Sequence, residues 1–192
     1  MSATTLDIEQ CTAGDLARHR DELLDVYVDA YADKLNSPFF TPERYWERVE
    51  AYAARDGYAL VLGRVAGQLI GYAMGFTLPT NSAWWKGLTT TVDPALTTED
   101  GRRTFALTYI MVRVAYRRRG YARLLHDALL EGRPEQRATL LVLPENVAAR
   151  TAYRTWDWYQ IGELQPFPDA PLYDALVLDL PSSSARTDDR TL

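Results

Sequence analysis

Cysteine is nearly absent: the 192 residues include one, Cys11. A lone thiol excludes an internal disulfide framework, and with His19 and His126 as the only histidines no Cys/His zinc cluster, and no metal, is expected. Lysine is almost as scarce. Two of the 21 basic residues are lysines, Lys34 and Lys86, and this arginine skew points to a GC-rich, bacterial genome. Long apolar runs are missing as well. None approaches the ~20 residues of a membrane span, and Met1 to Ile8 has neither the cationic nor the apolar region of a signal peptide. A reduced, cytoplasmic setting is expected. Nor is there an excess of positive charge: a net charge of -5 and a pI near 5.1 argue against non-specific nucleic-acid binding, which needs a basic face to release counterions.

What is present is an ordinary globular composition, 47% hydrophobic and 24% charged, which excludes collagen-like, disordered and coiled-coil classes. The length favours one domain, read as residues 1–180. The serine-rich stretch 181–192 has no core-forming pattern and is expected to be a disordered tail.

Leu6 to Cys11 reads as a short strand, and Leu16 to Leu35 carries apolar residues at three- and four-residue spacing, as an amphipathic helix does. Thr41-Pro42 is a helix start, with Thr at the cap and Pro at the first helical position. Tyr58 to Val65 and Gln68 to Leu78 form a hairpin around Ala66-Gly67, in which Gly71 and Gly75 mark a close approach or a bulge. Pro79 to Arg103 shows no period and reads as a long functional or mobile loop. A strand over Thr104 to Val114, a helix over Gly120 to Glu131, a strand over Ala138 to Leu143 and a helix from Asn146 to about Thr155 follow. Strands over Tyr159 to Leu164 and Tyr173 to Leu180 close the pattern. The order implies a mixed sheet flanked by helices.

The informative stretch is Met111 to Arg123, a turn between an apolar strand and an amphipathic helix. The amides of residues 118 to 123 lie at a helix N-terminus, where free N–H groups and the dipole attract anions. Gly120 lets an oxyanion approach the backbone, Ala122 keeps the next turn small, and Arg117, Arg118, Arg119 and Arg123 add positive charge, so a pyrophosphate fits. The alternative is a solvated basic turn. Downstream, Asn146, Ala149 and Tyr153 share one helix face, with Asn146 equally readable as a helix cap and Tyr153 as a core aromatic.

Val112-x(4)-Arg117-x-x-Gly120-x-Ala122, followed by Asn146-x-x-Ala149-x-x-x-Tyr153, resembles the acyl-CoA-binding core of the GNAT superfamily of N-acetyltransferases. The resemblance implies an α/β (α+β) fold: a mixed, mostly antiparallel sheet of about six or seven strands, about four flanking helices and a splayed strand pair that holds acyl-CoA. It implies acetyl-CoA as cosubstrate, with Ile110, Met111 and Val112 on the pantetheine arm and Arg117, Arg118, Arg119, Gly120, Tyr121, Ala122 and Arg123 around the pyrophosphate. Asn146 would contact the cosubstrate, and the Tyr153 hydroxyl would protonate the leaving thiolate. Where many relatives carry a Glu base this chain has Thr108 and Tyr109, so Glu145, Asp100 or Asp174 acting through water are the candidates. Where many have Gly-Phe it has Asp157-Trp158.

The acceptor is expected to be a small-molecule or peptide amine, not a nucleic acid or a membrane, with a homodimer allowed. Tyr27, Tyr31, Trp84, Trp85 and Tyr109 would meet it, although Trp84-Trp85 equally reads as an anchor of its loop. The aromatic wall suits a hydrophobic or cationic amine. A non-catalytic acyl-CoA-binding regulator, an antibiotic-modifying enzyme and a self-association module are the competing readings. Cys11 is not expected to be a nucleophile, for want of a paired histidine.

Overall fold

The computed structural model describes residues 5–181; the expected tail from 182 onward lies outside the described residues. Seven strands and five α-helices follow one another: β1 (Asp7–Cys11), α1 (Arg20–Ala30), α2 (Pro42–Ala53), β2 (Ala59–Val65), β3 (Gln68–Thr77), α3 (Pro94–Thr97), β4 (Thr104–Val112), α4 (Tyr121–Leu130), β5 (Arg137–Val142), α5 (Val147–Thr155), β6 (Tyr159–Leu164) and β7 (Tyr173–Asp179). This is the expected mixed α/β class, with one strand-rich meander ahead of a strand–helix–strand crossover.

The chain divides into two compact units, Met1–Phe76 with Leu107–Glu131 and Thr77–Ala106 with Gly132–Leu192. In the first unit the strand order is β1-β2-β3-β4. The β1/β2 pairing and the β2/β3 hairpin are both antiparallel. The β2–β3 turn is as read: Ala66 and Gly67 both have positive φ, 50° and 81°, as a two-residue turn with mirror-image geometry needs. Helix α2 begins where Thr41-Pro42 placed it, the Thr41 hydroxyl accepting from the Arg44 amide. The expected Leu16 to Leu35 helix is shorter, since Ala13–His19 is a 3-10 segment and α1 ends at Ala30. The core is aromatic, with Leu23, Val26, Tyr27, Tyr45, Val49, Leu60, Leu62, Tyr72 and Met74 fully excluded from solvent.

Helix α4 lies against the sheet of this unit through Leu125. A Cβ on Gly63 would sit 2.9 Å from Leu125 Cδ2, and one on Gly71 would sit 2.5 Å from the Met111 carbonyl oxygen and 3.1 Å from Leu125 Cδ1. Gly71 therefore marks a close backbone approach, as one of its two readings had it.

In the second unit the order is β4-β5-β7-β6. Only Thr104–Ala106 of β4 pair with β5, in parallel, opposite Arg137–Thr139. β7 pairs antiparallel with both β5 and β6.

One ion pair ties α1 to β2. Arg64 Nη1 and Nη2 reach Glu22 Oε1 and Oε2 at 2.7 and 2.8 Å. This two-pronged bond, outweighing partial burial, lowers the Glu22 carboxyl from 4.5 to about 2. A depressed carboxyl contributes stability above its unfolded value that disappears as pH falls through the folded one. The parent is therefore expected to lose stability between pH 4.5 and about 2, and Glu22→Gln to be less stable at neutral pH with a flatter acid limb. Urea unfolding across that pH range checks it; parallel curves would remove Glu22 as the source.

Candidate active site

The turn after β4 is built by two left-handed residues. Arg118 has φ 62° and Gly120 φ 83°, and the non-glycine at 118 is held there at a cost of about 1–3 kcal/mol. Gly120 is the N-cap of α4 and offers no side chain, and a Cβ there would meet nothing within 4 Å. The amides of Arg118, Arg119, Gly120 and Ala122 make no hydrogen bond among the described residues. Four unpartnered amide donors around an open glycine make a candidate anion cradle.

The arginines are less mobile than expected. Arg117 donates to the carbonyls of Val112 and Ala30 at 3.2 and 3.1 Å, so it fastens the turn to its own unit. Arg119 donates to the Ala115 carbonyl and lies over the Tyr116 ring, and Arg123 pairs with Asp127 at 2.7 Å. Arg118 alone of the four has no side-chain partner among the described residues. Tyr121 is buried, with its ring against Tyr116, while Ala122 is half-buried at the start of the helix.

Before the turn, Leu107–Val112 of β4 forms the outer strand of the first unit. Ile110 is half-buried, whereas Met111 and Val112 are buried. The Tyr72 hydroxyl donates to Met111 Sδ at 3.1 Å. Thr108, at the place of the relatives' Glu, donates to the Met74 carbonyl, and the Tyr109 hydroxyl accepts from Arg48 Nε at 2.9 Å. Burial, opposed by Arg48, raises the Tyr109 hydroxyl above its ordinary value, so it stays protonated.

In the second unit Asn146 caps α5, its Oδ1 accepting from the Ala149 amide at 3.1 Å. The cap reading is therefore satisfied by one half of the amide, and the Nδ2 half has no partner among the described residues. Tyr153 is buried, edge-on to Trp156 and Trp158. The helix ends in the left-handed Asp157 (φ 66°), with the Trp158 amide bonded to the Tyr153 carbonyl and the Asp157 amide to that of Arg154. Asp157 thus occupies a conformation that favours glycine, and the Trp158 ring folds back on Tyr153.

Two of the expected acceptor residues are buried. Tyr27 is fully buried and donates to the Phe40 carbonyl at 2.8 Å. Trp85 is buried and its Nε1 donates to Glu99 Oε1, which also receives Thr104 and Arg137. That network, extended by Arg137 to the Leu96 carbonyl, pins the 79–103 segment; Trp85 is its anchor. Trp84 is half-buried, with its Nε1 out of solvent and unpartnered, and Tyr31 is half-buried, stacked on Tyr27. Among the base candidates, Asp174 pairs with Arg150 and Gln160, and Asp100 accepts from the Arg102 amide. Glu145 is exposed.

One Cys–His contact lies outside the candidate site. Glu9, Cys11 and His19 offer ligand atoms within 4.8 Å of one another, and Cys11 Sγ lies 3.9 Å from His19 Nε2. Arg18 already donates to both His19 and Glu9. Burial, then Glu9 and Asp15, raises the Cys11 thiol, so it is a poor nucleophile for that reason and not for lack of a histidine.

Arg48 was missed. Its signal, an arginine between Tyr45 and Tyr52 on an otherwise apolar-facing helix, becomes legible only with Tyr109, 61 residues away.

Residues 20–158 match the acetyltransferase (GNAT) family, and the chain belongs to it. Acetyl transfer is the chemistry of this family, with acetyl-CoA as cosubstrate. No curated protein matches the chain. Among solved structures it is similar to PH1933 from Pyrococcus horikoshii OT3, with TM-score 0.67 and 14% identity, 92% of this chain and 99% of that one being covered. PaiA N-acetyltransferase from Thermoplasma acidophilum, in complex with coenzyme A, gives 0.56 and 8% over 92% and 99%. Diaminobutyrate acetyltransferase EctA from Paenibacillus lautus, in complex with L-2,4-diaminobutyric acid and coenzyme A, gives 0.57 and 16% over 92% and 96%. At these identities the likeness shows the fold. No helix among the described residues is long and apolar enough to cross a membrane.

Trp85→Phe is expected to lower stability by about 1–3 kcal/mol, because a buried carboxylate loses a donor, while acetyl-CoA affinity is retained. Urea unfolding and calorimetry separate the two. A raised acceptor KM at unchanged stability would restore Trp85 to the acceptor site.

Proposed function

We propose that the chain is an N-acetyltransferase that passes the acetyl group of acetyl-CoA directly to a primary amine of a small molecule or peptide, in a reducing, cytoplasmic setting. The observation that carries this reading is the cradle of unpartnered amides at Arg118, Arg119, Gly120 and Ala122, open at Gly120. Acetyl-CoA supplies an activated thioester whose carbonyl carbon accepts the amine.

The chain's own residues divide the work. The cradle amides, with the free charge of Arg118, hold the pyrophosphate, and Arg117 keeps the turn in shape through its two carbonyl bonds. The backbone of Ile110, Met111 and Val112 binds the pantetheine arm, and an N–H of Met111 or Val112 stabilises developing oxyanion charge. The Nδ2 half of Asn146 contacts the arm. Tyr153, held by Trp156 and Trp158, gives its hydroxyl proton to the departing thiolate. Holding both substrates together removes any need for a covalent enzyme intermediate.

A non-catalytic acyl-CoA-binding role is favoured by one observation, the absence of a carboxylate on β4, and is excluded by release of CoA thiol in the presence of an amine.

Gly120→Asp puts a negative side chain into the cradle and is expected to abolish acetyl-CoA binding by calorimetry, with a stability loss of about 1–3 kcal/mol from the left-handed φ that the uncharged Gly120→Ala shares. Unchanged affinity would mean that the pyrophosphate lies elsewhere. Tyr153→Phe keeps the ring packing and removes the proton, and is expected to lower kcat by about 10²–10⁴-fold with nearly unchanged acetyl-CoA affinity. An unchanged kcat would reduce Tyr153 to a packing residue.

A further inference from the structure

Within the first unit, α2 turns Arg48 toward a wall of rings. Its guanidinium carbon lies 4.7 Å from the Phe39 ring centre, its Nε donates to the Tyr109 hydroxyl at 2.9 Å and its Nη1 to the Phe39 carbonyl at 3.1 Å. Tyr109 in turn lies 5.1 Å from Tyr45 and 6.2 Å from Tyr52, centre to centre. Arg48 is half-buried.

What it lacks is a counter-charge. No carboxylate pairs with Arg48 among the described residues; beyond the Tyr109 hydroxyl and the Phe39 carbonyl it meets only the neutral Tyr27 hydroxyl. The tyrosines cannot supply the charge, because burial raises the hydroxyls of Tyr27, Tyr52 and Tyr109 and keeps them neutral. Elsewhere in this unit Arg64 is matched by Glu22 and Glu9, while Arg113 has the Leu69 carbonyl alone. A guanidinium partly withdrawn from water, without an anion, retains a strong affinity for one, and Nη2 beside Nη1 presents the two-donor edge that fits the two oxygens of a carboxylate.

The location gives that affinity a use. Tyr109, which receives Arg48, immediately precedes Ile110–Val112, the strand segment assigned above to the pantetheine arm. An anion on Arg48 is thus held next to the strand along which the acyl group would lie.

We propose that Arg48 is the specificity residue of the acceptor site and that the acceptor is an amine bearing a carboxylate, bound by the Nη1/Nη2 edge of Arg48 within the Phe39–Tyr52–Tyr109 wall. This rests on the acetyltransferase reading, and it replaces the expectation of a purely hydrophobic or cationic acceptor. The role is one of binding and orientation; the guanidinium transfers no proton.

The test uses the full chain and a panel of ω-amino acids and proteinogenic amino acids, each paired with the matching amide or decarboxylated amine, in a thiol-release assay with acetyl-CoA. Acetyl-CoA binding is measured separately by calorimetry. The expected result is that at least one carboxylate exceeds its uncharged match by about 10- to 100-fold in kcat/KM, the scale of a charged hydrogen bond. In Arg48→Gln that ratio falls toward one through the acceptor KM, with acetyl-CoA affinity unchanged, and Arg48→Lys recovers part of it. If Arg48→Gln is too unstable to assay, the ratio in Arg48→Lys against the parent decides. Equal or better turnover of the uncharged partners, a preference that survives in Arg48→Gln, or acetyl-CoA binding without turnover of any carboxylate overturns the proposal. Failure of the parent to bind acetyl-CoA overturns the acetyltransferase reading instead.

Discussion

The missing side chain at Gly71 is the constraint on which the candidate site depends. Any Cβ there would press on the Met111 carbonyl and on Leu125, so β3, β4 and α4 can meet at this point only because one residue has no side chain. The strand that enters the anion turn and the helix that leaves it are thereby fixed against the same residue. With both ends held, the turn between them can sustain Arg118 and Gly120 in left-handed conformations without collapsing onto its own amides. Arg117 completes the arrangement from outside, bonding Val112 at the strand end and Ala30 at the end of α1. The cradle is a consequence of packing several residues away, and its donors are free because the backbone that carries them cannot turn inward to satisfy them.

Much of this was legible in the sequence because it depends on neighbours along the chain. The cap at Thr41-Pro42, the Ala66-Gly67 turn and the glycine ahead of α4 are local statements about φ and about orphan amides, and the structure has each where local chemistry puts it. Where the reading failed, the decisive partner was distant. Trp85 belongs to the core because Glu99 and Arg137 converge on it, and Arg137 stands on β5. Cys11 meets His19 because a 3-10 segment turns the chain back on β1. Asp157 falls between the cases: its departure from glycine is visible in sequence, but its harmlessness depends on asparagine-like tolerance of the left-handed region and on the Trp158 contact that closes the helix.

The aromatic core of the first unit also has an electrostatic consequence. Stacked tyrosines at 3.9 Å and 4.9 Å, with Tyr45 and Tyr72 sharing a 2.6 Å hydroxyl contact, fill space that a less polar core would fill with aliphatic groups. Their hydroxyls satisfy one another and the backbone while staying neutral. Such an interior tolerates a nearby guanidinium better than a hydrocarbon would, since each hydroxyl offers a lone pair, yet it supplies no full negative charge. Arg103 and Arg113, half-buried as well, have backbone carbonyls in place of a carboxylate, whereas Arg48 has only one carbonyl and neutral phenols.

The same residues limit how the reaction can manage its protons. Thr108 is bonded to the Met74 carbonyl, Tyr109 is a protonated phenol receiving Arg48, and Asp174 is held by Arg150 and Gln160. None of these groups is an available base. For the proposed amine acceptor that leaves water or the exposed Glu145 to take the proton, and turnover is expected to rise with pH as the free-base fraction of the acceptor grows. A carboxylate on the acceptor works against this by raising the pKa of a nearby ammonium, whereas pairing that carboxylate with Arg48 cancels the effect. A cation in the acceptor wall would therefore assist twice, by orienting the amine and by returning its pKa toward that of an uncharged analogue.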